Sequence, residues 1–577
     1  MTRAPRSAVP ALTARAVFMT SLLHLGQTQT QTQTQTQTQA EQSLAAPTST
    51  TPYVRPLNAD CVARDLGLAG LGGDALYFPS SFVLPVSSAD SVGPTVTSAA
   101  EGFSVTYYDT YKVVENRVSN VTYVLYECGT DRPEPSEVAA ENPVYFQIPL
   151  TSVSVSETVP YAYLEALEVV DRVVDVSAYT TSACGQKQVA CGEVAPGYVD
   201  HVSPGFNETA LAAGVAVSDA IILGSSGAVD VELFEEDGAP VLIPALAFDA
   251  ENDPGLLNRA EWIKYLGAFF NKERLANALY GAIVEEYEAV KEASAAAAAG
   301  AETPVVAWVS HFEYAYEPEE PPEEHFDVSF ADYKGDLVAD VSGRMVADGA
   351  AALVAGTPGA RLSAFSNETV EFAWDDPEGV NGEKTFGSKE EARAAFEKML
   401  EGVDAIVDET YSADPAAYDF EKEYGFAPPA LTYRVDGKLS ADNGYDWYES
   451  SFVRPDLMLR DFQRIADSVR AGENVVPDGF AFTWLRHLDE KPVVVTADAC
   501  TRISACGQEA APICPFVRGC GDGTTALLQE EGTCGEACCY EACDASAPAR
   551  NAAQMAAPAV ILVTLLVVFV EALLQFC

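Results

Sequence analysis

The side chains best equipped for chemistry in this sequence are aromatic rings that follow β-branched runs. They are Tyr161, Tyr163 and Tyr179 in the first half, then His311, Phe312, Tyr314 and Tyr316, Trp374, Trp447 with Tyr448, and Trp484 beside Arg486. Rings with a few polar groups at their edge stack on a flat, largely apolar macrocycle and orient it. Each ring taken singly also suits a buried core or a glycan-covered surface. His311 can ligate cobalt or iron through its imidazole, or act as a hydrogen-bonded structural residue beside a strand end. Arg454 and Arg486 can pair with carboxamide or carboxylate edges of a ligand, or with structural acids. The acidic run 317–324, with His325 after it, reads as a solvated loop, with a hard-cation holder as the other reading.

Enzymatic chemistry finds little support. The GSSG at 224–227 is not a nucleophile elbow, HExxH and phosphate-loop motifs are missing, and the chain has only five histidines. The expectation is a non-enzyme with no catalytic residue and no resident metal. A secreted hydrolase with an unrecognised carboxylate pair and a ligand-free adhesion protein remain as other readings.

To bring such rings together the chain needs two facing bodies, and the stretch 258–300 is the element that joins them. Apolar residues recur at Trp262, Leu266 and Phe269, then at Leu275, Leu279, Ile283, Tyr287 and Val290, a three-to-four spacing that lays one stripe along a helix face. Asn258 with Glu261 reads as a cap, Asn271 as the start of a second helix, and Gly300 as its end. At about 1.5 Å per residue the second helix spans roughly 40 Å, the length of a strut between two lobes.

Strands and helices alternate on both sides of it. Before the strut, 103–128 reads as a hairpin turning near 116–120, and 144–157 as a strand. A helix and a strand at 172–176 follow, with further strands at 220–224 and 240–246. Strand, helix, strand in this order implies a parallel crossover. After the strut, 303–312, 370–374 and 403–410 read as strands, and 341–356 and 388–402 as helices. The fold class is α/β: two α/β lobes with parallel sheets, joined by one long helix. A ligand would sit between them at the C-terminal ends of the strands.

Composition and the chain ends set the compartment. The 577 residues are 48% hydrophobic, enough for buried cores, and 85 acidic against 34 basic side chains leave a net charge of -51. That charge argues against nucleic acid or anionic membrane as partners, since both would be repelled. Residues 1–26 carry arginines before an apolar core and read as a secretory signal, and 27–56 is a low-complexity Gln-Thr and Ser/Thr/Pro stalk. Then follow an N-terminal lobe with its opening hairpin (57–256), the inter-lobe helix (257–300), a C-terminal lobe (301–499), a Cys-rich segment (500–545) and an anchor tail (546–577). The tail fits a lipid-anchor (GPI-type) signal, with a retained transmembrane helix as the alternative. Thirteen cysteines, eight of them in 500–543, indicate disulfides in an oxidising compartment. Sequons at Asn120, Asn207 and Asn367 suit a secreted glycoprotein.

Four segments in order carry a family resemblance: PLTSVSVSETVPYAYLEALEVVDRVVDVSAY (149–179), NETALAAGVAVSDAIILG (207–224), AEWIKYLGAFFNKE (260–273) and NGYDWYESSFVRPDLMLRDFQRIA (443–466). They resemble the bacterial periplasmic substrate-binding proteins of the cobalamin, ferric-siderophore and haem import systems. The signal, the sequons and the anchor make the chain look most like the algal cobalamin acquisition proteins. The Cys-rich segment and the inserts at 317–324 and 428–444 depart from the bacterial pattern. The resemblance implies a surface-anchored solute-binding protein on the extracellular side of the plasma membrane. Its expected cargo is cobalamin, with haem or a ferric siderophore as the alternative, passed to an uptake transporter or receptor. The expected ligand-binding residues are Tyr161, Tyr163, Tyr179, His311, Phe312, Tyr314, Trp374, Trp447, Tyr448, Trp484 and Arg486.

Overall fold

The computed structural model describes residues 97–500, Ile503 and Cys506, apart from 197–217, 225–231, 315–322, 375–384, 473–480 and a few isolated positions. The leader, the stalk, the Cys-rich segment past Cys506, the anchor tail, Tyr316 and Asn207 lie outside them. No helix among the described residues is long and apolar enough to cross a membrane.

The first lobe opens with a sheet of four strands in the order β1 (Phe103–Tyr107), β2 (Tyr111–Asn116), β3 (Val121–Glu127) and β4 (Val144–Ile148). The hairpin expected over 103–128 is β2 and β3, and β1 adds a second hairpin before it. Asn116 closes the β2–β3 turn by accepting from the backbone N–H groups of Val118 and Ser119. Asn120 then takes a left-handed φ of 54°, a conformation that Asn tolerates. Alternation along β2 turns Lys112, Val114 and Asn116 inward, so two polar side chains are delivered to a core face.

The single strand expected over 144–157 is two strands in two sheets. β4 pairs with β3, and β5 (Val153–Val155) begins a parallel sheet after the Leu150 N–H has donated to the Phe269 carbonyl of the strut. That sheet contains β5, β6 (Val173–Val176), β7 (Ala195–Pro196), β8 (Ala220–Leu223) and β11 (Ala245–Ala247), in the order β11-β8-β5-β6-β7. Helices α1 (Thr158–Ala166) and α2 (Ala183–Ala190) supply crossovers. The apolar run at 240–246 does not form one strand. Its first part is β10 (Ala239–Leu242), antiparallel to β9 (Glu232–Glu236), and only the rest joins the parallel sheet.

The strut is a helix pair, α3 (Leu256–Phe270) and α4 (Glu273–Ala297). Asn271, expected to open the second helix, instead closes the first at φ 56°. The helix starts ahead of Asn258, and Glu261 caps another segment, accepting from the N–H groups of Ser98, Ala99 and Ala100. The α4 stripe spans two cores. Leu275, Ala276, Leu279, Tyr280 and Ile283 pack in the first, and Tyr287 and Val290 in the second.

The second lobe is built on an eight-stranded mixed sheet. Its strands are β12 (Val305–Tyr314), β13 (Glu323–Ser329), β14 (Arg344–Met345), β15 (Arg361–Leu362), β16 (Thr369–Ala373), β17 (Ala405–Asp408), β18 (Leu431–Arg434) and β20 (Arg486–His487). At its centre β12, β17 and β18 run parallel. A small parallel pair, β19 (Lys438–Ser440) with β21 (Val493–Val495), lies apart from the sheet. Around the main sheet come α5 (Asp332–Asp340), α6 (Ala350–Gly356), α7 (Lys389–Met399), the short α8 (Phe420–Tyr424) and α9 (Pro455–Ala471). Ser388 caps α7 as its sequence position implies, whereas the helix expected over 341–356 is shortened by β14 to α6. α9 buries Met458, Leu459, Phe462, Ile465 and Ala466, with Phe462 stacked on Trp308 at 5.3 Å. Two α/β lobes with a shared helix are thus the architecture.

Candidate functional site

The C-terminal ends of the parallel strands in the two sheets are linked by a chain of contacts, and this edge is the candidate site. On the first lobe Glu157 follows β5, and its carboxylate accepts from the Gly224 N–H at the end of β8. A Cβ on Gly224 would stand 2.0 Å from that carboxylate, so glycine is what lets the acid lie there. Burial, then the neighbouring Glu251, push the Glu157 carboxyl up to about 7, and burial likewise raises Glu251 against the pull of Arg259. Arg259, on α3, lays its guanidinium over the Tyr333 ring at 4.2 Å and near Phe452 at 5.3 Å, both in the second half of the chain.

On the second lobe Lys334 follows Tyr333 at the start of α5 and pairs with Glu409, the first residue after β17. Although burial opposes it, Glu409 holds Lys334 in its charged form. Tyr448 donates to the same Glu409 at 3.5 Å. Tyr445 stacks between Tyr448 and Tyr411 at centroid distances of 6.4 and 6.0 Å, with interplanar angles of 20° and 26°. Tyr411 is 71% exposed and Tyr448 41%, so the two outer rings of this stack face solvent.

A buried ionic network under the edge fixes these loops. Arg434 on β18 binds Asp408 at 2.8 Å and Asp436 at 2.9 Å, donates to the Thr410 carbonyl at 2.7 Å, and lies 3.5 Å from the centre of the Tyr418 ring. Arg486 completes it on Asp436 at 2.6 Å and on the Pro415 carbonyl at 3.0 Å. Its guanidinium therefore faces structural acids.

The expected site residues divide sharply by placement. Of the eleven, Tyr448 reaches the edge with its ring open to solvent. Trp447 and Trp484 are 1% and 2% exposed; Trp447 packs on Trp308 at 5.8 Å, and the Trp484 indole donates to Asp446 at 2.8 Å. Tyr161 and Tyr163 are in the core of the first lobe, donating to the Gln188 side chain and the Arg259 carbonyl. Tyr179 is half-buried, with its carbonyl against Gly444. His311 has both ring nitrogens against carboxylates, Nδ1 at 2.6 Å from Glu423 and Nε2 at 3.0 Å from Glu324, which makes it a structural bridge. Phe312 stacks on His325, and Trp374 lies between Phe326 and the Lys389 ammonium. Tyr314 ends β12, and its side chain is outside the described residues.

The sequence reasoning missed Glu157, Arg259, Tyr333, Lys334, Glu409 and Tyr411. For Glu409 and Tyr411 a signal is present, since Glu409 lies at the end of the strand expected over 403–410 and Tyr411 directly follows it. Arg259 gives none, because it lies within a helix. Among the described residues no group of three or more His, Cys, Asp or Glu is placed to hold a metal ion. A small crevice lies between Leu256 and Arg259 on one side and Tyr333, Trp447, Phe452 and Met458 on the other. It holds about 10 Å3, room for one water and not for a macrocycle.

No protein-family model matches the sequence, and no curated protein matches it. Solved structures do resemble it. A periplasmic heme-binding protein from Pseudomonas aeruginosa aligns over 60% of this chain and 99% of its own at 13% identity, with a TM-score of 0.33. The siderophore-binding protein BauB, solved with two acinetobactin molecules and ferric iron, aligns over 56% and 93% at 12% identity and 0.33. An ABC-transporter substrate-binding protein from Listeria monocytogenes aligns over 55% and 98% at 13% and 0.31. The chain has the two-lobed α/β fold. A parallel sheet with its core lies on one side, and a mixed sheet with its own core on the other, of a helix that packs into both.

Proposed function

We propose that the chain captures a neutral, amide-edged corrinoid, cobalamin, between its lobes at the cell surface and passes it to an uptake partner. The charge balance of the inter-lobe edge carries this reading. Among the described residues the edge holds Glu157, Glu251 and Glu409 against Arg259 and Lys334, and each cation already faces an acid. With Glu157 protonated, Glu251 and Glu409 balance Arg259 and Lys334, so haem with two carboxylates, or an anionic ferric siderophore, would meet cations already paired with acids and no net positive charge there. A cobalamin bears amides, which accept from a protonated Glu157 and donate to Glu251, while its flat ring suits the open faces of Tyr411 and Tyr448.

The surface assignment rests on the sequence features outside the described residues: the secretory leader, the stalk, and a GPI-type or membrane-spanning tail. The exposed turns that hold Asn120 and Asn367 leave both sequons open to glycosylation. Non-enzymatic capture accords with an edge in which Lys334 and Glu409 neutralise each other.

Alanine at Tyr411 or Tyr448 is expected to weaken cobalamin binding at least tenfold, about 1.4 kcal/mol, measured by titration calorimetry. Both rings are exposed at the surface, so melting temperature should stay within about 3 °C of the parent. Unchanged affinity in both variants would place the ligand elsewhere.

A further inference from the structure

The two lobes also meet directly, beside the strut. Residues 179–182, which follow β6 in the first lobe, dock on the turn 446–449 of the second. The Glu449 carboxylate accepts from the Thr181 N–H at 2.6 Å, the Ser182 N–H at 3.1 Å and the Thr180 hydroxyl at 3.1 Å. The Thr181 hydroxyl donates to Asp446, which also accepts from the Trp484 indole at 2.8 Å and the Ser450 hydroxyl at 2.6 Å. Gly444 lacks the Cβ that would stand 2.0 Å from the Tyr179 carbonyl oxygen, so the two loops meet backbone to backbone. Two disulfides, Cys184–Cys500 and Cys191–Cys506, then staple α2, directly after the docked loop, to the segment that leaves the second lobe.

We infer that residues 179–182 and the Asp446/Glu449 pair form a proton-gated latch between the lobes, closed while Glu449 carries a proton and loosened when both acids are ionised. Both side chains are buried, and the described cation facing them is a single one, Lys438 on β19, at 3.1 Å from Asp446. Among the described residues the first lobe offers the pair hydroxyl and amide groups, from Thr180, Thr181 and Ser182. The next cations along the joint are committed elsewhere, Lys187 to the Cys500 carbonyl at 3.4 Å and Arg454 to Asp456 at 2.7 Å. One ammonium balances one carboxylate, so a second buried charge has no counter-ion. The directions agree. Burial, then the Asp446 charge, raise Glu449, whereas Lys438 and its hydroxyl donors hold Asp446 down against burial. When Glu449 is protonated, the Thr180 hydroxyl turns to accept from it.

Loosening removes the hold on the Thr181 and Ser182 amides and leaves α2 tethered by its disulfides, so the latch can re-form. The inference needs no bound ligand and stands apart from the cobalamin reading.

Hydrogen exchange of peptides covering 179–186 in the full chain tests it, with rates corrected for the intrinsic pH dependence of exchange. Protection in the parent is expected to fall at least tenfold between pH 6 and 9, while the isosteric Glu449→Gln variant shows a flat profile over the same range. A flat profile in the parent would overturn the latch by itself, whether or not the variant folds. An equal decline in Glu449→Gln would assign the pH response to another group and overturn it too.

Discussion

Replacing Lys112 by methionine should destabilise the protein by about 3–5 kcal/mol at pH 8 and by much less at pH 5, read as the shift in denaturant midpoint at the two pH values. The Lys112 ammonium is fully buried between the opening sheet and the strut. It donates to the Ala268 carbonyl at 2.8 Å, to Asn271 at 2.7 Å and to Glu273. Glu127, also fully buried, lies beside them and accepts from Asn271 at 3.0 Å. Methionine keeps the length of the stem and removes the ammonium that faces two buried acids. Glu127, which burial already pushes up to about 7, escapes by taking up a proton, which is why the loss shrinks at low pH. An equal loss at both pH values would show that Lys112 acts through packing and not through its charge.

The parent chain itself should melt at least about 5 °C higher at pH 5 than at pH 8, against the common rule that acid destabilises. Burial raises Glu127 to about 7, Glu157 to about 7, Asp175 to about 6 and Asp461 to about 7, in each case over the opposing pull of hydrogen bonds or charges. An acid whose folded value lies above its unfolded one binds a proton in the native state that the unfolded chain has released. Over the window from about 4 to about 7 the folded state therefore holds more protons, and stability falls as pH rises through it. Glu423, held down mainly by its hydrogen bond to His311, and Asp446, held down by Lys438 against burial, work in the other direction. The net charge of -51 adds to the trend, since protonation relieves self-repulsion. A calorimetric melting series that rose from pH 5 to pH 8 would contradict this account of the buried acids.

What was legible in the sequence follows from what burial patterns can encode. The α4 stripe from Leu275 to Val290 is visible because one face of that helix is buried and the other is wet. The period alone identifies the face, and the structure divides it between two cores. α3 is buried nearly all round, so its period says little, and its start and end move with the cap geometry at Gly255 and Asn271. The run 144–157 mixes β-branched and aromatic residues with polar ones on both sides of Pro149, so its pattern reads as one strand although the chain changes sheets between Ile148 and Val153. The disulfide partners of Cys500 and Cys506 lie more than 300 residues away, a distance that no spacing rule reaches.

The site was less legible, for a physical reason. A large ring after a strand can turn toward the cleft or back into the core, and the core takes the most apolar ones. Trp447 and Trp484 turned inward, whereas Tyr411 and Tyr448 stay partly exposed, the Tyr448 hydroxyl turned to Glu409. Charged residues on helices, such as Arg259 and Lys334, reach the edge only because the strut and α5 bring them there. The chemistry of the edge is thus set by tertiary placement.

The most direct measurement is a calorimetric titration of the purified ectodomain with cobalamin, haemin and a ferric siderophore at physiological salt. The account predicts one cobalamin site with a dissociation constant below about 10 μM and at least 100-fold weaker binding of the two anionic ligands, a gap of about 2.7 kcal/mol. Haemin or the siderophore binding as tightly as cobalamin, or cobalamin failing to bind, would contradict it.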